Sequence, residues 1–327
     1  MVGVAFEQEF GPMTVKINTP LRHLISLDGM SGDTISGLMD RAQEFVDGKY
    51  LYTPLRGVGV CTLFFEPSTR TRLSFQLAAQ QLGAEVLNFE AANSSTTKGE
   101  TAADTFRNIE AMGVRGFVIR HKDDGAALAL SQIAGPNTAV INAGDGCSNH
   151  PTQGLLDMLT LRQAKGHDFA RMKVVLVGDI AHSRVARSDL HALKALGVQD
   201  IRVCGPRTLL PADDPILDGT EVCHDFDKAL DGVDAVMMLR LQRERMEEGL
   251  IESLMDYHAL YGLTAKRLAY ARPDAVVLHP GPINRGVEIT DEVADGPQSL
   301  ILRQVANGVA IRSAVMEALL TKPLAVH

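Results

Sequence analysis

The segment Ser68-Thr69-Arg70-Thr71-Arg72 sets three hydroxyls and two guanidiniums within five residues, just after the apolar run 58–65 and Pro67. Proline suits the first turn of a helix, where its missing N–H costs nothing. The residues after Pro67 are therefore expected at a helix N-terminus, where unpaired N–H groups and the helix dipole favour an anion. Hydroxyl and guanidinium donors added there make an oxyanion site suited to phosphate.

Four more clusters follow strand-like runs. Arg120 ends the apolar stretch from Gly116 and, taken alone, is equally a solvated strand-end charge. In His150-Pro151-Thr152-Gln153, Pro151 opens a helix, so His150 and Gln153 share a face at its N-terminus. An imidazole and an amide there suit a carbonyl whose oxygen gains charge, or they simply cap the helix. Arg184, in Ser183-Arg184-Val185-Ala186-Arg187-Ser188, opens the helix after a further strand, and Arg240 follows the strand-like run 234–239. Two such arginines match a substrate with two carboxylates, each gripped bidentately. The residues after Arg240, Arg243 among them, read as a solvated helix face. Lys98 lies in a Ser/Thr-rich loop, 91–99, and by itself reads as a surface lysine. The turn His279-Pro280-Gly281-Pro282 offers backbone carbonyls at fixed angles, able to accept from an –NH2 group.

Several chemistries are excluded. The run Val174-Val175-Leu176-Val177-Gly178-Asp179 has one glycine where a dinucleotide fingerprint needs three, and bulky residues follow it. There is no Gly-x-Ser-x-Gly elbow, no Cys/His nucleophile pair and no spaced metal-ligand set. What remains is arginines, hydroxyls, one histidine, one glutamine and one lysine, a set that transfers a group between two anionic substrates by positioning and charge stabilisation.

These residues must be carried by alternating strands and helices. Strands are expected at 58–65, 85–89, 116–120, 138–142, 173–179, 201–205, 234–239 and 275–278. Helices are expected at 17–48, 72–83, 101–112, 151–165, 184–197 and 299–320, that at 151–165 as a long amphipathic helix. This alternation predicts an α/β fold of two domains, each a mostly parallel sheet with helices on both faces, joined by the long helix. Residues 17–160 form the first domain and 161–299 the second, with the C-terminal helix, 300–327, packing back on the first. At 327 residues and a net charge of −8, the chain has room for two cores and is a poor partner for nucleic acid. No apolar run spans a membrane, and the acidic N-terminal stretch lacks a secretory pattern, so a cytoplasmic protein is expected. The four scattered cysteines read as reduced thiols, those at 61 and 204 as small buried apolar residues.

Taken together, Ser68-Thr69-Arg70-Thr71-Arg72, Lys98-Gly99-Glu100-Thr101, His150-Pro151-Thr152-Gln153, Gly178-Asp179, Ser183 to Ser188 and Arg240 to Arg245 resemble the carbamoyltransferases that use carbamoyl phosphate, in their aspartate-using branch. The likeness runs from about residue 21 to about residue 320. It implies attack of the α-amine of L-aspartate on carbamoyl phosphate, an early step of pyrimidine synthesis, with no cofactor and no metal in the chemistry. By the same resemblance Ser68, Thr69, Arg70 and Thr71 bind the phosphate with Arg120. His150, Thr71 and Arg120 face the carbonyl oxygen, and Gln153 with the backbone of Pro280, Gly281 and Pro282 holds the carbamoyl nitrogen. Arg184 and Arg240, with Gln242 beside them, bind aspartate together with Lys98, a catalytic residue that enters with Ser94 from a neighbouring subunit of a homotrimer. Glu66 is expected to pair with Arg184 or Arg245, and a larger assembly with dihydroorotase-like chains is implied. The alternatives are an ornithine or related amino-acid carbamoyltransferase and a silent anion-binding scaffold. The ornithine branch carries a His-Cys-Leu-Pro turn and a Ser-Met-Gly segment, and this chain has neither.

Overall fold

The computed structural model describes residues 21–49, 53–90, 99–211, 213–241 and 253–321. Two parallel sheets follow one another along the chain. The first is built from β1 (Gly59–Phe64), β2 (Glu85–Glu90), β3 (Val114–His121) and β4 (Ala139–Asp145), in the order β2-β1-β3-β4. The second contains β5 (Lys173–Val177), β6 (Asp200–Cys204), β7 (Glu221–Cys223), β8 (Ala235–Met238) and β9 (Val276–Leu278), in the order β7-β6-β5-β8-β9. All pairings within these sheets are parallel.

Successive strand residues face opposite layers, as the two-residue period of a strand requires. In β1, Val60 and Phe64 face one apolar cluster and Cys61 and Leu63 another. In β5, Val174 and Leu176 join the cluster that holds Val60, whereas Val175 and Val177 face a third. Both faces of both sheets are thus covered, which is why these strands read as continuous apolar runs. One apolar cluster reaches across one face of each sheet without a break.

That shared core is closed by α1 (Gly32–Val46), α2 (Thr69–Gln81), α5 (Pro151–Lys165), α6 (Arg184–Ala195) and α11 (Ile301–Leu320). α11 packs against α1, α2 and α5, and Arg41 of α1 donates from Nε to Glu317 of α11 at 2.5 Å. The other face of the first sheet carries α3 (Ala102–Ala111) and α4 (Ala126–Ile133). On the outer face of the second sheet lie α7 (Phe226–Ala229), α8 (Leu254–Tyr261), α9 (Ala265–Leu268) and α10 (Asp291–Ala294).

Three expectations are corrected. The helix expected over 17–48 is α1 alone within the described residues. Ser31 caps it by accepting from the Thr34 N–H, and residues 21–31 are not helical, Leu24 pairing instead beside Ile141 of β4. Pro67 is not in the first turn of α2: the helix begins at Thr69 with Ser68 as N-cap. The long helix α5 is not amphipathic. Every residue from Pro151 to Arg162 is buried, because α1, α6 and α11 wrap it. The short elements α4, β7 and α7 to α10 were not expected, being too brief to show a period.

At Gly154, α5 lies close against the backbone of α6. A Cβ there would lie 3.0 Å from the Ser188 backbone oxygen and 2.9 Å from Leu27 Cδ1. Gly154→Val is therefore expected to overpack this joint and lower stability by about 1–3 kcal/mol, read from denaturant midpoints against the unmodified chain.

Candidate active site

Each sheet has one point where successive strands depart in opposite directions, and open α/β sheets take ligands at the carboxyl ends there. In the first sheet it lies between β1 and β3, in the second between β5 and β8. The segment after β1 leads into α2, β3 ends with Arg120 and His121, β5 leads to α6 and Arg184, and β8 to Arg240. The two points open on one cleft of about 590 Å3. Ser68, Thr69, Arg70, Thr71, Arg120, His150, Gln153, Arg184, Arg240, Pro280, Gly281 and Pro282 all line it. Ser94, Lys98, Gln242 and Arg245 lie outside the described residues.

At one end, α2 points its N-terminus into the cleft. The Ser68 side chain accepts no hydrogen bond from the N–H groups of its own helix, so those donors are left for an anion. Arg70 stands among them, and burial, then the charge of Arg240 across the cleft, push its guanidinium down from its ordinary range. The Gly281 backbone has a φ of 61°, and a Cβ there would come within 2.9 Å of the Arg70 guanidinium. Glycine at 281 thus leaves the space through which Arg70 passes.

In the middle of the cleft, Arg120 donates to the Ala143 carbonyl at 3.0 Å, and Arg184 donates to the Gly146 carbonyl at 3.2 Å. Glu66, which leaves the end of β1, receives both: its Oε2 lies 3.1 Å from Arg184 and 3.5 Å from Arg120 Nε. Of the two partners expected for Glu66, Arg184 is met here, while Arg245 lies outside the described residues. Gly144 has a φ of 114°, and a Cβ there would meet Arg120 at 2.9 Å and Arg184 at 3.0 Å. The loop beside it is pinned by Asp124, whose Oδ1 accepts from the Cys147 N–H and the Ser148 hydroxyl, both at 2.7 Å.

His150 is the N-cap of α5, and its backbone N–H donates to the Ser188 hydroxyl of α6 at 2.9 Å. Its ring is buried, and Nδ1 has no partner among the described residues. Burial first, then the charges of Arg120, Arg184 and Arg312, push its pKa well below the ordinary 6.5. The ring is thus a neutral imidazole, a hydrogen-bond donor that brings no charge of its own. The turn at 280–282 is held from behind: His279 is buried, accepts at Nδ1 from the Gly281 N–H at 2.8 Å, and so donates from Nε2 to Glu288 at 3.1 Å.

Sequence reasoning missed Gly144, Gln304, Arg312 and the role of Gly281 beside Arg70. Arg312 is buried in α11, lines the cleft and stacks over Phe75 at 4.9 Å. The available signal was a guanidinium within an otherwise apolar helical stretch, where burial demands a partner. The four cysteines are free, those at 61 and 204 buried. Among the described residues no group of three or more His, Cys, Asp or Glu is arranged to hold a metal ion, and no helix is long and apolar enough to cross a membrane.

The neutral state of His150 has a measurable consequence. The native ring stays unprotonated at pH 6.5, seen as neutral-imidazole shifts in histidine-labelled NMR spectra of the full chain. The unfolded chain takes up that proton near 6.5 and the native chain does not. His150 therefore costs no stability above about pH 6.5 and erodes stability as the pH falls below it.

Residues 22–163 match the family model for the aspartate/ornithine carbamoyltransferase carbamoyl-P binding domain, and residues 170–319 match that for its Asp/Orn binding domain. An aspartate carbamoyltransferase catalytic subunit from Stenotrophomonas maltophilia (strain R551-3) is 69% identical over 305 residues, 92% of this chain and 96% of that protein. One from Xanthomonas oryzae pv. oryzae (strain MAFF 311018) is 68% identical over 306 residues, 92% and 96% of the two chains. Among solved structures, Trypanosoma cruzi aspartate transcarbamoylase in complex with carbamoyl phosphate and aspartate superposes with a TM-score of 0.82 at 29% identity, over 91% of this chain and 97% of that one. Pyrococcus furiosus ornithine carbamoyltransferase gives 0.82 at 27%, over 93% and 98%. Matched by both domain models along most of its length and by relatives at 68–69% identity, this chain belongs to the aspartate/ornithine carbamoyltransferase family.

Proposed function

We propose that this chain transfers the carbamoyl group of carbamoyl phosphate to the α-amine of L-aspartate, yielding N-carbamoyl-L-aspartate and phosphate in pyrimidine synthesis. The observation that carries the reading is that Arg184 and Arg240 of the second sheet share a cleft with Ser68 to Thr71 of the first. An ornithine side chain brings a cation, which two arginines repel, whereas aspartate brings two carboxylates, each suited to a guanidinium. The high identity to relatives named for aspartate supports the same choice.

In this reading the phosphate rests on the α2 N-terminus with Ser68, Thr69, Arg70, Thr71 and Arg120. The carbonyl oxygen meets the Thr71 hydroxyl, Arg120 and neutral His150, donors already fixed before charge develops on it. Gln153 and the carbonyls of the 280–282 turn accept from the carbamoyl –NH2. Arg184 and Arg240, with Gln242, hold aspartate so that its amine faces the carbonyl carbon. A C–N bond forms, the C–O bond to phosphate breaks, and the departing phosphate takes the amine proton. The first domain, 17–160 with α11 packed back on it, binds carbamoyl phosphate, and the second, 161–299, binds aspartate. Ser94 and Lys98 reach this cleft from the next subunit of a cytoplasmic homotrimer, which can join dihydroorotase-like chains in a larger assembly.

Three measurements test this. Turnover with carbamoyl phosphate is expected with aspartate and not with ornithine, and the reverse pattern overturns the assignment. Arg70→Ala is expected to lower turnover by about 10²-fold or more, as loss of a fixed donor does. Reassembling inactive Arg70→Ala chains with inactive Lys98→Ala chains is then expected to restore part of the activity, since some sites receive both intact residues. Hybrid trimers that stay inactive argue that Lys98 acts within its own chain.

A further inference from the structure

The steps above give Asp157 no part, yet this carboxylate lies one helical turn behind Gln153 and is fully buried. The Gln153 Nε2 donates to its two oxygens at 3.0 and 3.2 Å. The Gln304 Nε2 of α11 donates to the same Oδ1 at 2.7 Å. Gln304 in turn accepts at Oε1 from the His279 backbone N–H at 2.9 Å, and His279 Nδ1 accepts from the Gly281 N–H. One carboxylate is thus the common acceptor for an amide that lines the cleft and for the chain of bonds that fixes the 279–282 turn.

A carboxylate without its proton only accepts, so it admits only the –NH2 side of each glutamine. With Nε2 turned to Asp157, the Gln153 amide has its oxygen left for the cleft that it lines. We infer that Asp157 is a positioning residue for substrate choice: by turning the Gln153 oxygen toward the cleft and, through Gln304 and His279, holding the backbone carbonyls of the 280–282 turn, it makes the site demand a hydrogen-bond donor beside the transferred carbonyl. This rests on the reading that Gln153 and the turn meet the carbamoyl nitrogen.

The geometry places Asp157 as an acceptor, with the Nε2 groups of Gln153 and Gln304 both donating to it. Asp189 of α6 is also fully buried, and neither of its oxygens finds a donor among the described residues. Burial, then the charge of Asp157, push Asp189 well above the ordinary carboxylate range, and a protonated Asp189 can donate to Asp157. Burial raises Asp157 too, while the two glutamine donors and the Arg312 charge act the other way.

Carbamoyl phosphate and acetyl phosphate have nearly the same shape and differ in an –NH2 against a –CH3, so their relative binding reads this feature directly. The experiment uses the full-length protein as wild type, Asp157→Asn, Gln304→Met and Gln153→Ala. It measures KM for carbamoyl phosphate and the inhibition constants of acetyl phosphate and inorganic phosphate. An asparagine at 157 has one acceptor oxygen and must turn its own –NH2 toward one glutamine, so the Gln153 amide loses its fixed sense. Asp157→Asn is expected to cut the preference for carbamoyl over acetyl phosphate by about tenfold or more, the effect of leaving buried polar groups mispaired. Gln153→Ala is expected to do the same and Gln304→Met to shift it less in the same direction, with inorganic phosphate inhibiting as in wild type. A preference that survives Asp157→Asn but not Gln153→Ala overturns the role of Asp157 alone. A preference that survives Gln153→Ala overturns the reading of Gln153 on which it rests. Parallel weakening of all three ligands makes Asp157 merely structural and overturns the proposal. Should Asp157→Asn not fold, an unchanged preference in Gln304→Met overturns it.

Discussion

Like charges repel, and this cleft is built from them: among the described residues, Arg70, Arg120, Arg184, Arg240 and Arg312 line one cavity with a single carboxylate, Glu66. In a partly water-excluded space such repulsion is strong, and most of the local architecture serves to contain it. Glu66 spans Arg120 and Arg184, which come from different sheets. Backbone carbonyls of Ala143 and Gly146 take further donors, and Arg312 stacks on Phe75 beside Asp157. The positive field that remains is what two anionic substrates and an anionic transition state require.

The same field explains why the histidine of the site is neutral. A protonated ring would add a further cation among Arg120, Arg184 and Arg312, and burial removes the water that could screen it. In the proposed reaction, a neutral donor fixed by the α5 N-terminus would polarise the carbonyl without competing for the phosphate. The glycines at 144 and 281 belong to this design as well. Each clears room for guanidiniums that must lie against backbone, and each takes a backbone conformation that a side chain would strain.

Legibility followed the chemistry. Ser68 to Thr71 could be read because their donors are contiguous and follow an apolar strand. Arg120, Arg184 and Arg240 were visible because a strand end is a recognisable place for a charge. By contrast, Asp157 and Gln304 lie inside helices, where nothing local separates a buried partner from a surface polar group; only the three-dimensional meeting of α5 with α11 does. The burial of α5 was hidden for the same reason: its polar Thr152, Asp157 and Thr160 suggest a wet face, and each is enclosed instead. The segment 21–31 failed as helix because Leu24 finds a backbone partner in Val140 and Asn142, a non-local choice that propensity does not encode.

The apolar cluster that runs unbroken from Val60 of the first sheet to Leu176 of the second has a consequence for modularity. The two sheets look like separable parts, each matched by its own family model, yet neither has a private interior on that face. Exchanging one half for that of a distant relative would therefore graft mismatched surfaces into the centre of a packed interior, where jigsaw fit is felt down to single methylenes. Inheritance should have kept the halves together as one unit of recombination, even while the residues at their shared mouth were free to change the amine they receive.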